Sequence, residues 1–212
     1  MAGKILGIVG SYRKGGAVDS LVTEALRGAE EAGAETTKLY LLDEPIEFCT
    51  NCRTCTQEPG PAPGRCVHDD AMAGILRRYE ACDGLVLGAP VNFYNVNALT
   101  RRFMERLVAF SHWPWGSQGG PKLRRKDRGK RAVLITTSAM PAFLIPLATG
   151  ALRALRAAVK TMGARPVAVV TAGLVGVWER PEVPARALRR ARAAGRRLAA
   201  GESGRRSRGG KP

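Results

Sequence analysis

Histidine is scarce in this chain, with two in 212 residues. His68 stands beside Asp69 and Asp70, which are suited to open a helix, and His112 lies in the aromatic stretch SHWPW; helix entry and packing account for both. No arrangement of histidine, serine and acid points to a hydrolase. The usual glycine fingerprints of nucleotide loops are absent too: the chain contains neither G-x-G-x-x-G nor G-x-x-x-x-G-K-[ST]. Long apolar runs are few. The uncharged stretch Ala132–Leu152 is long enough to suggest a membrane span, but it carries Thr136, Thr137, Ser138, Pro141, Pro146 and Gly150, so a strand, a loop and a helix are expected and membrane insertion is not. The apolar run KILGIVGS near the start is too short for a secretory signal and is followed by no small-residue cleavage region, which predicts a cytoplasmic protein. Internal repeats are absent.

What is present is an ordinary globular composition, 45% hydrophobic and 25% charged, in a chain long enough for one domain and short for two. The net charge of +16 is unevenly placed. Lys122–Arg131 holds seven basic residues against Asp127, and Arg180–Pro212 holds eleven against Glu182 and Glu202, so two segments account for fifteen of the sixteen net charges. We read them as solvated loops and a frayed end, with attraction of phosphorylated nucleotides or nucleic acid as the alternative; nucleic acid is not the expected partner. One domain over residues 1–200, with a Cys-rich loop at 43–70, is expected to precede a basic, mobile tail at 201–212.

Hydrophobic periodicity places a strand at residues 4–10, a helix at Val18–Ala32 stopped by Gly33, and a strand at Thr36–Leu42. Past the Cys-rich loop come a helix at Ala71–Ala81 capped by Asp69 or Asp70, a strand at Gly84–Ala89 and an amphipathic stretch at Asn97–Phe110. A strand at Arg131–Thr137, a helix at Ile145–Met162, a strand at Val167–Thr171 and an Arg-rich helix at Arg186–Ala200 complete the pattern. Five apolar strands alternating with helices predict an α/β fold: a flavodoxin-like three-layer sandwich whose five-stranded parallel sheet runs in the order 2-1-3-4-5.

In such a sheet a ligand sits beyond the carboxyl ends of the strands where the order reverses, so the loops after strands one, three and four carry the candidate chemistry. The first, Gly10-Ser11-Tyr12-Arg13-Lys14-Gly15-Gly16-Ala17, offers a phosphate the N–H groups of a helix start, the Ser11 hydroxyl and the Arg13 guanidinium; a plain glycine-rich turn is the other reading. The second, Ala89–Asn97, has Pro90 to stiffen it, Phe93 and Tyr94 for stacking, and the amides of Asn92, Asn95 and Asn97 to read a heterocycle edge, unless capping and packing use them. The third, Thr136–Pro141, is small and polar.

Taken together and in order, GSYRKGG, then CTNCRTC with GRCVHDD, then GLVLGAPVNFYNVNALTRRFMER resemble the NAD(P)H-dependent FMN reductase branch of flavodoxin-like proteins, close to the iron-sulfur flavoproteins, over roughly Lys4–Thr171. The resemblance implies that the FMN phosphate lies on Ser11, Arg13, Lys14, Gly15 and Gly16, and the isoalloxazine ring against Pro90, Val91, Asn92, Phe93, Tyr94, Asn95 and Val96 and against Thr137, Ser138, Ala139 and Met140. It also implies NAD(P)H as co-substrate, a small-molecule or protein electron acceptor, and a homodimer or homotetramer. No catalytic side chain is expected, since the chemistry resides on the flavin. The chain departs from the family at Ala17-Val18, where Asn-Thr or Asn-Ser is usual, at Asp19, whose negative charge is unwelcome beside a phosphate, and at Asn92, where Tyr is common.

Four of five cysteines share one loop, as Cys49-x2-Cys52-x2-Cys55-x10-Cys66. Without a secretory signal a disulfide framework is not expected. Three thiolates at three-residue spacing suit three irons of a [4Fe–4S] cubane, with Cys66 for the fourth; zinc, a reversible disulfide and loop cysteines without metal are the alternatives. The gap before Cys66 is longer than in the iron-sulfur flavoproteins. Cys82 abuts a strand and reads as a small core residue. The overall expectation is hydride transfer from NAD(P)H to FMN and delivery to a quinone, flavin or other acceptor, with an FMN electron carrier lacking pyridine-nucleotide activity, or a Cys-based redox-sensing regulator, as rivals.

Overall fold

A computed structural model of the chain describes residues 3–125, 129–176 and 182–201. In chain order the elements are β1 (Lys4–Val9), α1 (Ala17–Glu31), β2 (Glu35–Tyr40), α2 (Ala71–Glu80), β3 (Gly84–Asn92), β4 (Asn95–Val96), α3 (Ala98–Arg106), β5 (Ser111–His112), β6 (Lys122–Leu123), β7 (Lys130–Thr137), α4 (Ile145–Ala148), α5 (Ala151–Thr161), β8 (Ala164–Ala172) and α6 (Ala185–Ala199), with single 3-10 turns at Thr54–Thr56 and Leu107–Phe110. The parallel strands follow the order β2-β1-β3-β7-β8, as their apolar runs predict. A sixth strand was not foreseen: β4 folds back antiparallel on the end of β3, pairing Val91 with Val96 and Asn92 with Asn95.

The alternation of side chains along each strand divides the core in two. Leu6, Ile8, Leu85, Leu87 and Leu134 face one layer, where α2, α3 and α5 contribute Ile75, Tyr79, Phe103 and Leu155. Ile5, Val9, Val86, Val133 and Ile135 face the other, under Leu21, Val22 and Ala25 of α1 and Ala191 and Leu198 of α6. Helices α1 and α6 cross at two glycines: a Cβ on Gly28 would collide with the Arg192 carbonyl, and one on Gly195 with the Ala25 carbonyl. Arg192 and Arg196 then reach back to Glu24 and Glu31 at 2.9 and 2.6 Å.

Two expectations need correction. The helix foreseen at Ile145–Met162 is broken, because Thr149 adopts extended backbone and its hydroxyl binds the Ile145 carbonyl at 2.8 Å, ending α4 before α5 begins. The basic segment after Lys122 is not merely solvated: Arg124 donates to the carbonyls of Cys55, Gly60 and Ala109, Arg125 binds Pro61 and Glu80, and Lys130 binds the carbonyls of Glu80 and Cys82. Residues 126–128 of that segment, and the tail beyond Gly201, lie outside the described residues. Among the described residues no helix is long and apolar enough to cross a membrane.

Candidate functional site

Two cavities hold the residues singled out above. The first, about 310 Å³, opens beyond the carboxyl ends of β1, β3 and β7, where the sheet order reverses. Ser11, Arg13, Gly16, Pro90, Val91, Asn92 and Thr137 line it. Tyr12, Ala17 and Val18 from the first loop and its helix start and Asn97 from the second line it as well, and so do Val175 and Gly176, which follow β8, whose loop had not been considered. Lys14, Gly15, Phe93, Tyr94, Asn95, Val96, Ser138, Ala139 and Met140 are not on its wall. Val96 is buried in the core, and Lys14 pairs with Asp43 at 2.6 Å.

Close approach of chains shapes this cleft. The Gly10 N–H donates to the Gly88 carbonyl at 2.7 Å, and a Cβ on Gly10 would strike the Thr100 hydroxyl. Asn97 is committed to structure rather than to a heterocycle: it caps α3 by accepting from the Thr100 N–H at 3.0 Å and donates to the Gly10 carbonyl at 2.9 Å. Asn95 likewise accepts from the Val96 N–H. Between β3 and β4, Phe93 and Tyr94 both take left-handed backbone, φ 46° and 61°, and are 94% and 68% exposed. Bulky residues rarely occupy that region, so the turn holds two aromatic rings outward at a cost in backbone energy.

Asp19 is not a free negative charge. Its carboxylate, 7% exposed, accepts from the Gly15 N–H at 2.7 Å, from Lys38 Nζ at 3.0 Å and from the Tyr40 hydroxyl at 3.0 Å. Burial raises its pKa, but those three partners outweigh burial and leave it below the usual carboxylate range. An acid in the first turn of a helix is the signal that could have disclosed this role.

The second cavity, about 940 Å³, is lined by all four loop cysteines, Cys49, Cys52, Cys55 and Cys66, together with Arg53, Arg65, Arg77 and Arg106 and the apolar face of α2 at Met72 and Leu76. Cys55 is buried, and its thiol is pushed up to about 11 by burial and then by the neighbouring charges of Cys66, Cys49 and Cys52. Cys52 is exposed, and hydrogen bonds from Thr54 lower its pKa. Asn51 and Arg53, inside the Cys-x2-Cys-x2-Cys run, have φ of 55° and 60°.

Distant residues hold this basin together. The Arg53 guanidinium lies 3.6 and 4.0 Å from the ring centres of Trp113 and Trp115 and donates to the Trp113 carbonyl at 2.7 Å. The tryptophans of SHWPW are therefore packed on the cysteine loop. Arg106, at the end of α3, is buried against Asp70 at 2.5 Å and donates to the Glu47 carbonyl at 2.7 Å. Burial works against both charges; Arg106, with the N–H groups of Glu47 and Met72, still keeps Asp70 low, and Asp70 and Cys66 keep Arg106 high. Of the two acids proposed as the α2 cap, Asp70 is the one used. Among the described residues, no three His, Cys, Asp or Glu side chains converge closely enough to hold a single metal ion. A cubane takes its thiolates at four separated corners, so what bears on its fit is the four thiols around one cavity and the arginines that line it with them.

The sequence of residues 3–177 matches the family model described as NADPH-dependent FMN reductase. The chain belongs to the NADPH-dependent FMN reductase family. FMN and a nicotinamide reductant are thus the flavin and the hydride donor of its family. Relatives include an iron-sulfur flavoprotein of Archaeoglobus fulgidus, 35% identical over 119 residues, 55% of this chain and 52% of the relative. Another, from Methanosarcina thermophila, is 34% identical over 105 residues, 50% of this chain and 52% of the relative. This family member thus spans about half the length of the curated relatives it matches. Its fold is that of an FMN-dependent NADH-azoreductase from Bacillus anthracis in complex with FMN, with a TM-score of 0.64 at 15% identity over 94% of this chain and all of the other. An NAD(P)H:quinone oxidoreductase from Methanothermobacter marburgensis superposes with a TM-score of 0.63 at 17% identity, covering 93% of this chain and 100% of that one.

Proposed function

We propose that this protein is an FMN-dependent oxidoreductase that takes hydride from NAD(P)H and passes electrons to a quinone, a flavin or another small-molecule or protein acceptor. The observation that carries the proposal is the cleft at the sheet's switch point, where a 15-residue helix begins behind Ser11, Arg13 and Gly16 and the ends of β3 and β7 supply Pro90, Val91, Asn92 and Thr137. Bound there, FMN would supply two-electron acceptance and release. The chain's own part is to seat the phosphate on Ser11, Arg13 and the first N–H groups of α1, and to bring the ring against backbone at Pro90–Asn92. No side chain in the cleft is required to move a proton.

The four cysteines would hold a [4Fe–4S] cluster that handles single electrons, with Arg53, Arg65 and Arg106 offsetting its negative charge. Helix α3, roughly 14 Å long at 1.5 Å per residue, runs from Asn97 at the flavin cleft to Arg106 at the basin, so one rigid element carries a wall of each. Free thiols fit a reducing compartment, and we read the location as cytoplasmic. Tyr12, Phe93, Tyr94, Phe143 and Leu174 on the loops at the cleft end of the sheet, with Leu147 of α4, are exposed apolar side chains, which we assign to a second copy in a homodimer or homotetramer.

The test is flavin titration of purified protein followed by anaerobic NAD(P)H oxidation. Arg13→Ala should weaken FMN far more than riboflavin, which lacks the phosphate; equal weakening would remove the phosphate from this loop. Iron and sulfide assay after reconstitution addresses the cluster separately, with Cys52→Ser losing both and Cys82→Ser retaining them.

A further inference from the structure

The phosphate loop lacks the side chains that usually finish it, yet it is not loose. Ala17 and Val18 offer no polar atom, and Gly15 is left-handed with φ 72°. What fixes the turn is a single carboxylate reaching back from inside α1. Asp19 Oδ2 accepts the Gly15 N–H at 2.7 Å, while Oδ1 accepts from Lys38 Nζ at 3.0 Å and from the Thr23 hydroxyl at 3.3 Å; the Tyr40 hydroxyl lies 3.0 Å from Oδ2. Lys38 and Tyr40 belong to β2, the edge strand beside β1, and their side chains meet Asp19 under the loop. Lys14 and Lys38 each lie about 5 Å from the Tyr40 ring centre, at 5.2 and 5.0 Å. The backbone on either side is bonded locally, Arg13 N–H to Ser11 Oγ at 3.2 Å and Gly16 N–H to the Arg13 carbonyl at 3.3 Å.

We propose that Asp19 is a positioning residue for the FMN phosphate: by holding the Gly15 N–H from below, it fixes the Tyr12–Gly16 turn so that Arg13 and the first N–H groups of α1 face the phosphate. Lys38 makes this possible by neutralising a carboxylate that would otherwise repel the phosphate, and the Tyr40 hydroxyl adds a hydrogen bond to it. The role needs an acceptor oxygen at residue 19, and it does not need a negative charge. Asp19 does not line the cleft, so it acts through the loop and not by contact. The inference rests on the assignment of the FMN phosphate to this loop.

The experiment compares Asp19→Ala, Asp19→Asn and Arg13→Ala in FMN and riboflavin titrations, with amide hydrogen exchange read at Gly15. Asp19→Ala should weaken FMN about five- to tenfold, the effect of one hydrogen bond transmitted through the loop, and riboflavin less than twofold. Asp19→Asn, whose single amide oxygen can still accept from Gly15 and Tyr40 while its NH2 gives up the bonds from Lys38 and Thr23, should hold FMN within about twofold of the parent and keep the Gly15 amide protected. The inference is overturned if Asp19→Ala weakens both flavins equally or neither, or if Asp19→Asn binds FMN as poorly as Asp19→Ala. Should Asp19→Ala not yield folded protein, Asp19→Asn decides the matter alone: retained affinity with a protected Gly15 amide supports the role, and loss of either overturns it. Failure of the underlying assignment looks different, because Arg13→Ala would then weaken FMN and riboflavin alike whatever residue 19 does.

Discussion

The cleft proposed for FMN is walled by the ends of a buried sheet: β1, β3 and β7 end there, Gly10 sits on Gly88, and among the described residues that line it Arg13 is the charged one. The cysteine basin has α2 for one wall, but its cysteine loop has little regular structure and is shaped by arginines that bind backbone carbonyls, Arg53 at Trp113, Arg106 at Glu47 and Arg124 at Cys55, Gly60 and Ala109. In the first region geometry comes from strands that would pair anyway; in the second it comes from charges that a loop with prolines at Pro59, Pro61 and Pro63 cannot replace. The two should therefore fail separately, and each substitution below tests that independence.

The largest effect is expected at Arg106. It is buried with Asp70 as a pair, at 2% and 6% side-chain exposure. Removing one partner of such a pair leaves an uncompensated buried charge, so Arg106→Leu should cost about 3–5 kcal/mol. For a domain of this size each kcal/mol lowers Tm by about 2–4 °C. Because α3 touches both regions, this variant alone should disturb flavin affinity and iron uptake together. The pH profile follows from the depressed pKa of Asp70: its contribution is complete above the unfolded carboxylate value and is lost as pH falls through the lower folded one. Melts of the parent between neutral pH and about pH 3 should show this acid-side loss, and Asp70→Asn should flatten it; an unchanged slope would mean that other carboxylates carry it.

An intermediate and regional effect is expected at Arg124, which donates to three carbonyls and packs beside Gly64, where any Cβ would run into the Cys55 carbonyl. Hydrogen bonds to a charged donor are worth about 1.5–3 kcal/mol. Arg124→Ala should free the Cys55–Gly64 segment, raise its hydrogen exchange and protease sensitivity and lower iron retention, with FMN affinity unchanged. A parallel loss of flavin would break the proposed separation.

This division also governs what the sequence discloses. Ile5–Val9, Leu85–Ala89 and Ala132–Ile135 are apolar without interruption because both faces of the sheet are covered, and this is visible in the residues themselves. The cleft follows from knowing where such strands end. Arg124 and Cys55 are 69 residues apart and Arg53 and Trp113 are 60 apart, and no local pattern marks either pair. The β3–β4 turn was hidden for another reason: Phe93 and Tyr94 occupy left-handed positions that usually hold Asn or Gly, so its two central positions carry no turn-forming residue. At Asp19 the residue was visible but its partners Lys38 and Tyr40, on the neighbouring strand, were not.

The smallest effect is expected at Val18, on the wall of the cleft proposed for FMN. Its side chain is 2% exposed, and one γ-methyl lies close over Gly88, where an added Cβ would sit 2.9 Å away. That packing ties Val18 to β3, so the residue serves the core on one side and the cleft on the other. Val18→Thr keeps the shape and exchanges one methyl for a hydroxyl. If the hydroxyl turns to the cleft it gains a phosphate bond, worth about 0.5–1 kcal/mol or two- to fivefold in FMN affinity, with riboflavin unchanged. If it turns to Gly88 it is buried without a partner and stability falls by about 1–3 kcal/mol instead. The threonine can avoid that cost by rotating, so we expect tighter FMN with an unchanged melt. Titrations of both flavins and one thermal melt separate these outcomes. Tighter FMN together with unaltered iron uptake would show that the cleft can be improved without reference to the basin, whereas a fall in stability with no gain in affinity would mean that residue 18 belongs to the core and that Asp19 alone completes the loop.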